Sequence, residues 1–400
     1  MPDLYSRRSF IAGVLTAGML STAAGYLFTR RTPVTLTLVT GADSTGARDL
    51  LINLWNRFHP DVTIEVVEVN SSTADQYDKF VSTKADIYNL DIIHIPRFSA
   101  RGRIAPIDRP EGLTLLAPVQ RASQVGDGSA QLWAVPFNTD VGMLFRRIRD
   151  KTVADPEPAL DQVIAATGEL AGPLAGQLAS EASTTDEAFV INVLEQALAQ
   201  DSRILDDKGV VSTSLGQWQD ALAPLKEAML GKRIVAVSGE ENTNDAFQDR
   251  TLRYMRNWPV WYPRIDREER AKPDTAAVRI GRLPIGILGG QSLAVAGDTA
   301  HREEAEAVIQ FLTGMPAQKL LATYGFAPTG QEAYNDAEVK AAMPHLEKVR
   351  SAVEGAHPRP MNEGYADFSR VVRQHTYDYL RRPDAELTET FVEQIQEALK

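Results

Sequence analysis

The stretch "NWPVWY", residues 257–262, sets an amide, two indoles and a phenol close together. Aromatic faces stack on apolar ring surfaces, and an amide offers a donor and an acceptor side by side. That is the chemistry of non-covalent capture. For bond-making chemistry the sequence offers little. It has no cysteine, which excludes disulfides, thiol nucleophiles, iron–sulfur clusters and thiolate zinc sites. No G-x-S-x-G or H-E-x-x-H occurs, and the six His are scattered. No haem, molybdenum or flavin motif is evident, so no cofactor and no metal are expected. A paired-carboxylate glycosidase stays open, because such a pair is spatial rather than sequential.

The elements that must position these groups follow from length and pattern. Four hundred residues suit two domains rather than one core. A net charge of −11 argues against nucleic acid, whose phosphates demand clustered Lys and Arg. The first 31 residues differ from the rest: "SRRSF" precedes "IAGVLTAGMLSTAAGYLF", a basic region followed by small apolar residues. Arg7 and Arg8 in this setting resemble a twin-arginine export motif. Ser21, Ala23 and Ala24 suit a signal peptidase, while 10–28 is also long enough for an uncleaved anchor. Both readings place the remainder outside the cytoplasm.

Downstream, "TPVTLTLVT" (32–40), "VTIEVVEVN" (62–70) and "LDIIHI" (90–95) read as buried strands. Helices between them are marked by Leu51, Leu54, Trp55 and Phe58, closed at His59-Pro60, and by "SSTADQYDKF". This alternation implies a parallel sheet with ligand-facing loops beyond the carboxyl ends of its strands. Loops 42–46, 70–72 and 94–97 therefore form one expected rim, with Ser44 and Thr45 as helix caps. "LWAVPFNTDVGMLFRR" (132–147) consists of two core-like runs interrupted at Asn138, Thr139 and Asp140, which suits a crossing into a second domain. There, helices are expected at 159–171, 186–200 and 216–231 and a strand at 233–238. The β-branched run 278–297 breaks at Gly289-Gly290, a second crossing. "REEAEAVIQFLTG" and "PAQKLLATYGFAPTG" read as one helix running to Pro328, and two terminal helices follow.

The order of these stretches resembles the extracellular solute-binding proteins of bacterial ABC importers, the family of maltose- and trehalose-type sugar binders. The resemblance is carried by "LVTGADSTGARDLLINLWNRFHPDVTIEVVEV", the 132–147 crossing, "DAFQDRTLRYMRNWP" and "RPMNEGYADFSRVV". It also includes "LGGQSLAVAGDTAHREEAEAVIQFLTGMPAQKLLATYGFAPT". It implies an α/β fold: a two-lobe, type II periplasmic-binding-protein-like clamp, each lobe a mainly parallel sheet flanked by helices. Lobe 1 is expected at 32–138 plus 290–335 and lobe 2 at 142–285 plus 340–400. The crossings fall at 138–142, 286–290 and 336–340. The clamp would close on a small solute, of which sugar is the expected class, and deliver it to the transmembrane subunits of an ABC permease. The protein would act as a monomer, with membrane contact only through an uncleaved N-terminus.

A sugar needs paired hydrogen-bonding groups and aromatic plates. The expected contacts are Asp43, Ser44, Thr45, Asn70, Gln76 and Arg97 at the rim, and Asn138 and Asp140 at the first crossing. Asn257, Trp258 and Trp261 come from lobe 2, Gly290 and Gln291 from the return crossing, and Arg359 and Tyr365 from the C-terminal part. Trp258 is the expected stacking plate, and Gly290 is expected to let a ligand approach backbone amides. Trp55 reads as core, Trp133 as core or cleft, and Asp140 also suits a turn cap. Arg97, Arg101 and Arg103 suit either an anionic solute at the rim or a solvated basic loop. An exported glycoside hydrolase and a clamp with a non-sugar or partner ligand are the alternatives.

Overall fold

The computed structural model describes residues 32–69, 76–125, 131–148, 174–179, 187–206, 209–248, 252–270 and 277–400. The export segment, Asn70 and the helix expected at 159–171 lie outside them, as does the side chain of Gln76. The strands in chain order are β1 (Val34–Thr40), β2 (Val62–Glu68), β3 (Ile87–Asp91), β4 (Ile104–Ala105), β5 (Ile107–Asp108), β6 (Gln131–Leu132) and β7 (Val135–Val141). They continue with β8 (Met143–Ile148), β9 (Leu174–Gly176), β10 (Ile234–Ala236), β11 (Tyr254–Asn257), β12 (Ala277–Arg282) and β13 (Leu288–Ala296). The chain forms two compact units and passes from one to the other at 139/140, 288/289 and 347/348. The third passage falls later than the expected 336–340.

Unit 1 holds a sheet in the order β2-β1-β3-β13-β4, with β7 also paired to β13. β1 pairs in parallel with β2 and β3, as strand–helix–strand connections require. β13 enters antiparallel to β3 and β4. The helix Ala47–Phe58 covers this sheet through Leu51, Ile52 and Trp55, while Phe58 points to solvent. Trp55 is core: its indole donates to Val62 O at 2.7 Å and stacks on His59 with centroids 3.8 Å apart.

Three local expectations change. β3 stops at Asp91, whose carboxylate accepts from Ile93 N at 3.1 Å; "IIH" is a 3₁₀ turn leading into the helix Ile95–Ala100. The cap wins over the apolar run, because it satisfies a donor that a strand edge would leave open. β7 and β13 run unbroken through Asn138–Asp140 and through Gly289-Gly290, so neither polar nor glycine residues end a strand there. The helix expected to reach Pro328 is two, Arg302–Thr313 and Met315–Thr323, separated at Gly314 with Pro316 in the first turn of the second.

Unit 2 holds a sheet in the order β10-β9-β11-β8-β12. β10, β9 and β11 are mutually parallel, and β8 is antiparallel to both β11 and β12. The buried helix Glu187–Gln200 and the helix Leu215–Leu230 pack against each other, with Trp218 fully enclosed and edge-on to Phe391 at 5.2 Å. The C-terminal helices are Tyr365–Tyr379 and Glu389–Ala398; of the one face that Leu387, Phe391, Ile395 and Leu399 would form at helical spacing, Phe391 and Ile395 are buried within the helix, Leu387 is buried ahead of it and Leu399 is half-buried.

Candidate functional site

In unit 1 the carboxyl ends of β1, β2 and β3 carry a polar network built on Arg48. Its guanidinium donates through Nη1 to Thr40 Oγ1 and Gly41 O, both at 2.7 Å, and through Nη2 to Glu68 Oε1 at 2.5 Å. Asn89 Nδ2 donates to Thr40 Oγ1 at 3.1 Å and to Gln291 Oε1 at 3.0 Å. Arg48, Thr40 and Asn89 are buried, while Glu68 is 46% exposed, so the network opens outward at Glu68. Two amide oxygens of this unit, Asn89 Oδ1 and Asn138 Oδ1, are buried without a hydrogen-bond partner. Native interiors rarely leave such acceptors unmet.

The predicted rim residues divide by what they do. Asp43 caps the helix behind the rim: Oδ1 accepts from Thr45 N at 2.8 Å and Thr45 Oγ1 at 2.6 Å, and Oδ2 from Arg48 N at 3.0 Å. Thr45 Oγ1 in turn accepts from Ala47 N at 3.1 Å. Asp43, not Ser44, is therefore the capping side chain, and Ser44 is exposed. Gln291 belongs to the network, and Asn138 sits beside it through β13. Asp140 lies within β7, and its Oδ1 accepts from Val141 N at 2.9 Å. Gly290 is required by the backbone. Its φ is 129°, and a Cβ there would lie 2.4 Å from Asn138 O and 2.7 Å from Thr139 Cα.

Arg97 lays its guanidinium 3.7 Å over the Tyr77 ring. Arg101 and Arg103 do not join a rim. The helix Ile95–Ala100 carries the chain back, so Arg103 meets the amino end of β3, where its backbone carbonyl accepts from Gly297 N at 2.9 Å. Trp133 is half-buried.

In unit 2 a second polar cluster joins β9, β11 and the helix Glu187–Gln200. Arg256 donates to both oxygens of Glu195, through Nε at 2.8 Å and Nη2 at 2.9 Å, and through Nη1 to Gln177 Oε1 at 3.2 Å. Gln177 Nε2 returns a bond to Arg256 O at 3.0 Å, and Asn192 Nδ2 donates to Gln177 Oε1 at 2.9 Å. Arg256 and Glu195 are each 1% exposed, so the bidentate pair is fully enclosed. Gly142 makes room for it: a Cβ there would lie 2.3 Å from Glu195 Oε1.

This cluster changes the role expected of Trp258. The Arg256 guanidinium lies 3.8 Å over its ring, its indole donates to Glu240 Oε1 at 2.5 Å, and only 8% of the residue is exposed. Asn257 is fully buried and turned inward, donating to Glu240 O at 3.0 Å and accepting from Trp258 N at 2.9 Å. Trp261, by contrast, is half-buried, and its indole N–H has no partner. Arg359 and Tyr365 lie in a separate buried cluster. Arg359 Nη1, the Tyr365 hydroxyl and Ser369 Oγ all donate to the Glu187 carboxylate, the first at 3.3 Å and the last at 2.7 Å. Burial, reinforced by the Glu187 charge, holds the Tyr365 phenol well above its ordinary pKa. Both residues tie the C-terminal segment to the unit's core.

Among the described residues, no group of three or more His, Asp or Glu is placed to hold a metal ion, and no helix is long and apolar enough to cross a membrane.

The fold is that of known sugar-binding proteins. It matches maltose-bound MalE3 of T. maritima with a TM-score of 0.76 at 22% identity, covering 92% of this chain and 99% of that one. It matches the GacH receptor of Streptomyces glaucescens GLA.O, also seen with acarbose, with a TM-score of 0.76 at 16% identity and coverage of 92% and 99%. An ABC transporter solute-binding protein of Agrobacterium vitis S4 with bound D-mannitol gives 0.68 at 18% identity, covering 91% and 96%. In sequence, a probable ABC transporter-binding protein of Deinococcus radiodurans is 26% identical over 179 residues, which span 42% of this chain and 42% of that relative. The family model for bacterial extracellular solute-binding proteins matches residues 53–347, and the chain belongs to that family.

Proposed function

We propose that this protein captures a small neutral polyhydroxylated solute, a sugar or sugar alcohol, for an ABC importer and passes it to the membrane permease. Family membership over residues 53–347 is the observation that carries this reading. The chemistry of the clusters agrees with it. The unit 1 network offers neutral amides, a hydroxyl and a partly exposed carboxylate, which is the donor and acceptor mix that hydroxyl groups need. The two unmet oxygens of Asn89 and Asn138 would take hydroxyl protons as the solute settles. Within unit 2, Trp261 by itself offers an apolar ring face and an unpartnered N–H, the kind of plate a sugar ring stacks on. Hinge motion about the three backbone passages would accompany capture.

Arg7-Arg8 and the apolar run after them would export the folded chain by a twin-arginine route. The test is a melting-temperature screen with maltose, D-tagatose, D-mannitol and ribitol. A ligand that binds the native state alone raises the melting temperature in step with its concentration. A rise with at least one of these is expected; a flat response to all four contradicts the proposal.

A further inference from the structure

At the amino end of β3, at the opposite end of the unit 1 strands from the Arg48 network, lies a pocket of about 340 Å³. Its chemistry is unlike that of the network. Thr83, Lys84, Arg101, Arg103 and Asp298 surround it, and Tyr88 lies at its base. Tyr88 is 5% exposed, its ring held between Phe98, edge-on at 5.2 Å, and Phe80, stacked at 6.3 Å. Packing therefore fixes where its hydroxyl points, and among the described residues that hydroxyl makes no hydrogen bond. Lys84 and Arg103 are exposed and form no ion pair among the described residues. Asp298 and Arg103 both lie close enough to act on the phenol; with burial as the largest cause, its pKa is raised.

We propose that this pocket is a second ligand site, one that takes a small hydroxylated carboxylate of the sugar-acid type. Guanidinium forks and an ammonium suit a carboxylate. Asp298, inside the same wall, opposes a second negative charge and accepts from hydroxyl groups. That combination selects a monoanion carrying hydroxyls over a phosphate dianion. The Tyr88 and Thr83 hydroxyls complete the set as donors or acceptors, and the volume falls at the lower end of small-molecule sites. The site is independent of the solute proposed above, because all its lining residues belong to unit 1 and none to the Arg48 network.

The test is calorimetric titration of the full chain with D-glucuronate, with D-glucose and inorganic phosphate as comparisons. Saturable glucuronate binding is expected, weakened about tenfold by Arg103→Ala through loss of a charge-assisted contact. Tyr88→Phe keeps the ring packing and so the fold; about threefold weakening is expected from loss of one neutral hydrogen bond. Absence of glucuronate binding overturns the proposal, as does binding that neither variant weakens. Glucose bound as tightly as glucuronate, and weakened by the same Arg103→Ala variant, overturns the requirement for a carboxylate. Phosphate bound more tightly than glucuronate overturns the selection against a dianion.

Discussion

The polar clusters of the two units are built from similar parts and finished differently. In unit 2, Arg256, Glu195, Gln177 and Asn192 spend their hydrogen bonds on one another, and Trp258 covers the guanidinium. In unit 1, Arg48 and Asn89 bond inward to Thr40 and Gln291, yet Asn89 Oδ1 stays unmet and Glu68 reaches solvent. A closed network holds a sheet together, whereas the proposed solute site uses the acceptors that the unit 1 network leaves unmet. A polar cluster at the carboxyl ends of strands is therefore not by itself a binding site; its unspent bonds decide.

The largest expected effect tests the closed cluster. Glu195→Ala leaves the Arg256 guanidinium buried without its partner, and should cost about 3–5 kcal/mol in denaturant unfolding. A cost below about 1 kcal/mol, the level of an exposed pair, would mean that the cluster is not the closed scaffold described. Next comes Gly290→Ala, which forces a Cβ against Asn138 O and Thr139 Cα at a positive φ. A loss of about 1–3 kcal/mol in the same assay is expected. An unchanged midpoint would show that β7 and β13 do not approach so closely.

Trp261→Ala tests the open side of the comparison. It should leave the unfolding midpoint near wild type and weaken solute binding about tenfold, roughly 1.4 kcal/mol. The smallest effect sets a surface baseline. Burial alone would raise the Asp336 pKa, but bonds from Lys319, Val339 N and Glu338 N bring it below its ordinary value. A depressed carboxylate stabilises above its unfolded pKa and loses that contribution as pH falls through the folded value. Asp336→Asn should therefore be slightly less stable than wild type at neutral pH, and the gap should close below about pH 4. A gap that widens on acidification would reverse the sign.

Much of the fold was legible because its signals are local. Trp55 at helical spacing with Leu51 gave the helix Ala47–Phe58, and Leu387, Phe391 and Ile395 gave the buried face at the C-terminus. The end of β3 is hard to read from "LDIIHI", whose four aliphatic residues suit a strand, and only the Asp91 cap marks the switch to helix. The site was less legible because its key pairs are distant in sequence, as Arg256 is from Glu195 and Asn89 from Gln291. Trp258 and Trp261 are indistinguishable by type; Trp258 is enclosed by Arg256 at 3.8 Å and bonded to Glu240, whereas Arg264 lies 5.8 Å from the half-buried Trp261 ring. Arg48 was missed, although a signal was present. A cation in the first turn of a helix opposes the macrodipole, which points to its being held by something outside the helix.

The central claim is that a neutral polyhydroxylated solute is captured with Trp261 as its plate. The most direct measurement is calorimetric titration of wild type and Trp261→Ala with whichever of maltose, D-tagatose, D-mannitol and ribitol raises the melting temperature most. The account predicts saturable one-to-one binding by wild type and about tenfold weaker binding by the variant. Equal affinity in the two proteins would contradict it.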